Sequence, residues 1–383
     1  MTRLLGVLVL LAAPIALGAA ADASMRAASA HPQIRVGGFP TGIALDPSTH
    51  TIYVANGTTH SLSLIDGRTC NARSTRGCGQ RVTAVTAGLD PIGIAVDSST
   101  GTVYVVNYSG TVAVVNGDRC RASNASGCRV APTTVGVGVN PQFLALDEKT
   151  DTLYVTNEGS NTVSVIDTKT CNARRTTGCR RPQASIPVGP APFALAVNPV
   201  TSSVYVTTLG ARTVAVIDGR RCNGTIVSGC KRRPATVNVG GTPGGIAVNT
   251  RTNTIYVTGE SSNDVSILDG RTCNASTRKG CRKRPIRMRA GTGARGIAVN
   301  EATNTVYVAN TVENTVSVID GSTCNARVHT GCGRRAAVAP VGASPRRIAV
   351  DERTNTIYVT NAWANTVTML NGRKCNGRVH SGC

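Results

Sequence analysis

The sequence predicts a closed, all-β, seven-bladed β-propeller with four-stranded blades, and three observations carry that expectation. One tetrapeptide position recurs seven times at a nearly constant spacing. Each repeat divides into four short strand-like runs separated by turn residues. The last repeat lacks its fourth run, and a matching run stands alone near the N-terminus.

The recurring element begins at Tyr53, Tyr104, Tyr154, Tyr205, Tyr256, Tyr307 and Tyr358, so every step is 51 residues except one of 50. It reads Tyr53-Val-Ala-Asn56, Tyr154-Val-Thr-Asn157 or Tyr358-Val-Thr-Asn361, and a period this regular indicates one structural unit copied along the chain. In the first repeat the expected strands are Gly42–Asp46 (A), Thr51–Asn56 (B), Ser61–Asp66 (C) and Arg81–Thr86 (D). Strands A and B are apolar at nearly every position, as in sheets covered on both faces, whereas C and D are more alternating or polar. Pro187 and Pro340 fall in strand D. Proline removes a ladder donor, which makes D the outermost strand. The seventh repeat stops at Cys383 without strand D, and residues 31–38, His31-Pro-Gln-Ile-Arg-Val-Gly-Gly, precede the first strand A. An N-terminal strand completing the last blade would close the ring and remove the exposed edges of an open array. The expected blades are 39–89, 90–139, 140–190, 191–241, 242–292, 293–343 and 344–383, within one domain of residues 31–383.

The repeat resembles the YVTN β-propeller family, including its YncE-like and surface-layer-associated members. The likeness covers the whole region after residue 30 and implies the propeller fold. For function it implies only that such propellers serve as binding platforms, surface proteins or parts of enzymes. The chain departs from that pattern by an insertion between strands C and D that carries a cysteine pair in every repeat.

Residues 1–30 read as a signal peptide. Arg3 is followed by an apolar run from Leu4 to Leu17 and by small residues offering cleavage after Ala21, Ala23 or Ala30. The run is shorter than the roughly 20 residues of a membrane helix. A secreted, extracytoplasmic protein is therefore expected, with no transmembrane segment in the mature chain and most simply a monomer. The 14 cysteines form pairs eight positions apart: Cys70-Cys78, Cys120-Cys128, Cys171-Cys179, Cys222-Cys230, Cys273-Cys281, Cys324-Cys332 and Cys375-Cys383. In an exported chain one pair per repeat favours local disulfides. Metal sites use tighter spacings and histidine partners, and the five histidines are scattered. No metal and no cofactor are expected.

The formal charge is +21, from 41 basic against 20 acidic residues. Such a surplus attracts anionic partners, with an attraction that weakens in salt. It concentrates beside the cysteine pairs, above all at Lys231, Arg232, Arg233, Arg282, Lys283 and Arg284, which would form a basic rim on one face. A surface kept soluble by charge is the plainer reading of that rim. The opposite face, the channel mouth, is where the repeat stops repeating. Candidate ligand-binding residues there are His60, Gln142, Phe193, Arg295, Arg346, Arg347 and the single tryptophan, Trp363. Arg295, Arg346, Arg347, Trp363 and His60 would share one sector, and a cation cluster beside an aromatic ring suits an anionic or carbohydrate-like ligand.

The residues show no Ser-His-Asp set and no acid pair placed by the repeat, so no catalytic residue is assigned. The leading expectation is a non-catalytic binding or scaffold protein for an anionic cell-surface polymer or a protein partner. Two alternatives stand beside it: a nucleic-acid-binding propeller, and a lyase-type or lactonase-type enzyme with its site at the channel mouth. The basic segments lack the aromatic platforms that single-stranded nucleic acid usually uses.

Overall fold

The computed structural model describes residues 31–80 and 82–383, so the expected leader at 1–30 lies outside the described residues. Seven four-stranded antiparallel sheets surround a central axis. Blade 1 comprises Pro40–Asp46, Thr51–Asn56, Ser61–Asp66 and Thr83–Thr86, paired in chain order from the innermost strand A to the outermost strand D. Strand D is shorter than its sequence suggests because the disulfide loop before it occupies residues as far as Gln80. Blade 7 takes Pro345–Asp351, Thr356–Asn361 and Thr366–Asn371 from the C-terminal end, and Gln33–Arg35 supplies its outer strand. Ile34 pairs with Val367 and is fully buried, while the Gln33 amide donates to Thr368 Oγ1 at 2.8 Å.

The core is seven apolar clusters, each shared by two neighbouring blades. The one that joins the ends of the ring gathers Ile34, Tyr358, Val367 and Met369 of blade 7 with Ile52, Val54, Ile65 and the Cys70–Cys78 pair of blade 1. Strand B is buried at all six positions in every blade, the consequence of a sheet sandwiched on both faces.

The repeated residues have repeated jobs. The hydroxyl of each repeat tyrosine donates to the carbonyl of the first cysteine in the next blade, from Tyr53 to Cys120 at 2.8 Å around to Tyr358 and Cys70 at 2.6 Å. The first residue of strand B, Thr51 for example, accepts from a backbone N–H of that same loop, here Ala122 at 3.1 Å. Each disulfide loop therefore lies across the preceding blade. All seven bridges close within their own repeat, with Cα atoms 4.6–4.8 Å apart. Seven disulfides indicate an oxidising environment outside the cytoplasm. No helix among the described residues is long and apolar enough to cross a membrane.

Candidate functional site

Strand A begins at the channel mouth, and in each blade its pairing with strand B slips just after the first residue. A β-bulge of this kind bends the strand and re-aims side chains. The irregular residues are Thr41-Gly42, Ile92, Gln142-Phe143, Phe193-Ala194, Gly244-Gly245, Arg295-Gly296 and Arg346-Arg347. Two glycines here are required by close approach. A Cβ on Gly42 would lie 2.2 Å from the carbonyl oxygen of Ile92, and one on Gly296 would lie 2.2 Å from that of Arg346.

The third residue of the tyrosine tetrapeptide fixes the bulges where it is threonine. Thr156 donates to the carbonyl of Phe193 at 2.6 Å, Thr258 to that of Arg295 at 2.8 Å, and Thr360 to that of Thr41 at 3.1 Å. Each bond runs from one blade to the next, so the positions facing the mouth are held by the same ring of contacts that closes the fold.

Within this frame lies a cavity of about 350 Å³ lined by Phe39, Thr41, Asp90, Ile92, Tyr108, Gln142, Phe143, Phe193, Arg295, Arg346 and Arg347, among others. The chain has only three phenylalanines, and all three stand here, each beneath a guanidinium. Arg347 lies 3.8 Å from the centroid of Phe143, Arg346 5.3 Å from Phe39, and Arg295 5.4 Å from Phe193. Such contacts are each worth about 0.5–2 kcal/mol and favour the guanidiniums over free solvation. Phe39 and Asp90 reach the cavity from the loop between strands D and A, both with φ of 53°. The same left-handed conformation stands directly before strand A at Asn140, Ala191, Gly293 and Ser344, so it is the geometry of the repeated turn that presents these two side chains.

The charge is unbalanced. Arg295 pairs with Glu260 at 2.9 Å, but among the described residues Arg346 and Arg347 have no carboxylate within 4 Å, and Arg346 Nε is buried without a hydrogen-bond partner. Burial, followed by repulsion from Arg295 and Arg346, pushes Arg347 down to about 9. Burial and Arg295 also lower Arg346. At neutral pH Arg347 remains protonated, so the site holds cations whose solvation is incomplete and which an anion would stabilise.

Of the residues expected at the mouth, Gln142, Phe193, Arg295, Arg346 and Arg347 share the cavity. Gln142 is itself hydrogen-bonded to Glu158. His60 stands one residue behind it, with Nδ1 3.2 Å from Asp90 Oδ1 and accepting the Asp90 backbone N–H at 3.1 Å. Trp363 is 73% exposed on the loop between strands B and C of blade 7 and does not line the cavity. Phe39, Asp90, Tyr108 and Phe143 complete the site, and sequence reasoning did not select them. On the rim, Lys231, Arg232, Arg233, Arg282, Lys283 and Arg284 are all exposed.

A family described as "Lactonase, 7-bladed beta-propeller" matches residues 177–381, more than half of the chain. The chain belongs to this lactonase family. That membership replaces the YVTN-repeat assignment; the tyrosine tetrapeptide that suggested it makes the blade-to-blade hydrogen bonds described above. It also overturns the expectation of a non-catalytic binding scaffold, since the family is named for an enzymatic activity. No curated protein matches the chain. Among solved structures the chain is similar to Kuenenia stuttgartiensis hydrazine synthase, with a TM-score of 0.67 and 19% identity over 90% of this chain and 96% of that one. At that identity the likeness concerns the fold alone.

Proposed function

We propose that this member of the lactonase family hydrolyses a lactone bearing an anionic substituent, in the arginine and phenylalanine cavity at the channel mouth. The observation that carries the reading is the pair Arg346 and Arg347, half-buried cations stacked on aromatic rings with no carboxylate partner among the described residues. In lactone hydrolysis the carbonyl oxygen gains negative charge as water adds to the carbon. The ring C–O bond then breaks, the alkoxide takes a proton, and the product is a hydroxycarboxylate with release of one proton. Arg347, over Phe143, is assigned to that developing oxyanion, where a preorganised donor is worth about 2.7–4 kcal/mol. Arg346 and Arg295 are assigned to the anionic substituent. Among the described residues Asp90 is the one carboxylate lining the cavity; it is assigned to receive the proton of the attacking water, and its backbone N–H donates to His60 Nδ1. Catalysis by the mouth residues and export of the chain after cleavage at Ala21, Ala23 or Ala30 form one reading of a secreted enzyme, and N-terminal sequencing of exported protein tests the second part.

The catalytic part is tested by proton release from a panel of γ- and δ-lactones, with and without a carboxylate or phosphate substituent. Anionic lactones should be turned over with kcat/KM at least about 100-fold above neutral analogues of the same ring. Equal rates for both, or no hydrolysis of any, would overturn the proposal.

A further inference from the structure

A second site lies far from the mouth and goes beyond the lactonase reading. At three blades the disulfide loop, the residues leading into its own strand D and the loop of the next blade enclose a groove on the outer rim. Between blades 4 and 5 this groove has a volume of about 430 Å³ and is lined by Arg220, Arg221, Arg232, Arg233 and Arg278 against a single carboxylate, Asp218. Asp218 is already shared by Arg220 at 3.1 Å and Arg221 at 3.8 Å, which leaves three arginines without an acidic partner among the described residues. The next groove, of about 310 Å³, carries Lys283, Arg284 and His329, and its Asp269 is held by Arg271 at 2.8 Å.

The protein contains its own control for what these charges do. The groove between blades 2 and 3 has the same construction and a volume of about 550 Å³, yet Val130 and Ala131 stand where blade 4 has Arg232 and Arg233 and blade 5 has Lys283 and Arg284. The fold therefore builds this groove without charge at these two positions, where Arg119 is its one cation among the described residues. Successive cationic grooves along one arc fit a linear polyanion that passes from blade to blade. Among the described residues no phenylalanine, tyrosine or tryptophan lines either basic groove, and the His329 imidazole is the one ring there, so nucleobases find no run of stacking platforms. The disulfides place the chain in an oxidising environment outside the cytoplasm, where acidic carbohydrate is one class of linear polyanion.

We infer that the basic grooves of blades 4 and 5 bind an acidic polysaccharide, through carboxylate or sulfate groups, and hold the enzyme on it while the mouth stays open to substrate. The test compares wild type with a variant that copies blade 2, Arg232→Val, Arg233→Ala, Lys283→Val and Arg284→Ala. A second variant carries Gln at the same four positions, in case the apolar version folds poorly. The control removes the same number of charges elsewhere, as Arg119→Gln, Arg129→Gln, Arg174→Gln and Arg175→Gln. The probes are polygalacturonate, dextran sulfate and a short duplex DNA, each titrated at several salt concentrations. The groove variants should bind both polysaccharides at least about tenfold more weakly, with a salt slope smaller by about three, as fewer counterions are released. The control should bind as wild type does. Lactone hydrolysis, measured in parallel, should be unchanged in the groove variants, so failure here and failure of the mouth assignment are separate results. Equal losses in groove and control variants, tighter binding of DNA than of either polysaccharide at the same salt, or no binding at all would overturn the inference.

Discussion

Raising the pH should unfold this protein steeply, because of the seven repeat tyrosines. Each is at most 1% exposed, and burial is the first cause holding its phenol above the ordinary value of 10. In the unfolded chain the same phenols ionise near pH 10. Above that pH the unfolded state sheds protons that the folded state keeps. The stabilisation is thus complete below about pH 10 and is lost as pH rises toward the folded values. One phenol contributes about 1.4 kcal/mol per pH unit, so seven contribute on the order of 10 kcal/mol across a single unit, comparable to the whole stability of a typical domain. Phenolate absorbance and far-ultraviolet circular dichroism, followed together from neutral pH upward, should change in one shared transition for these seven residues. Tyr205→Phe, which leaves the Cys273 carbonyl without its 2.7 Å donor, should cost about 1–3 kcal/mol at neutral pH and make the alkaline transition shallower by one proton. Gradual ionisation of the seven phenols while the sheet signal stays native would refute the reasoning.

Two further outcomes concern the frame. Deleting residues 31–38 removes the buried Ile34 and the outer strand of blade 7, and should lower the melting temperature far more than deleting an equally long exposed segment; differential scanning calorimetry checks this. Replacing Cys222 and Cys230 together by Ala should destabilise by about 2–3 kcal/mol in urea titrations, through loss of a closed loop that also packs against blade 3.

The frame was legible in the sequence because every blade solves the same packing problem. Tyrosine, the cysteine pair and the apolar runs repeat since each copy meets an identical neighbour. The site was legible only in part because it is made where copies differ, and difference alone does not say which residues converge. The first bulge position pointed to Gln142, Phe193, Arg295 and Arg346, since strand A is innermost and its start faces the mouth. Phe143, on the second bulge residue, and Phe39, in the left-handed turn before its proline, were hidden because no strand alternation predicts the direction of either. Their rarity was the available signal: a chain with three phenylalanines places all of them in one cavity. Trp363 differs from its counterparts too, but its loop joins strands B and C, further from the axis, and it faces solvent. The leading functional expectation leaned on net charge, which reports on partners and is silent about chemistry at the mouth.

The most direct test of the mouth assignment is the kcat/KM of Arg347→Met for an anionic lactone and for its neutral analogue. Met keeps an unbranched apolar stem but removes the guanidinium that stacks on Phe143, and the backbone N–H of residue 347 still donates to Thr360. Loss of the oxyanion donor should lower kcat about 100- to 1000-fold for whichever lactone the wild type turns over, with KM changing much less. Arg346→Met should instead raise KM selectively for the anionic lactone. Wild-type kinetics in Arg347→Met would contradict the assignment of this cavity as the site of ring opening.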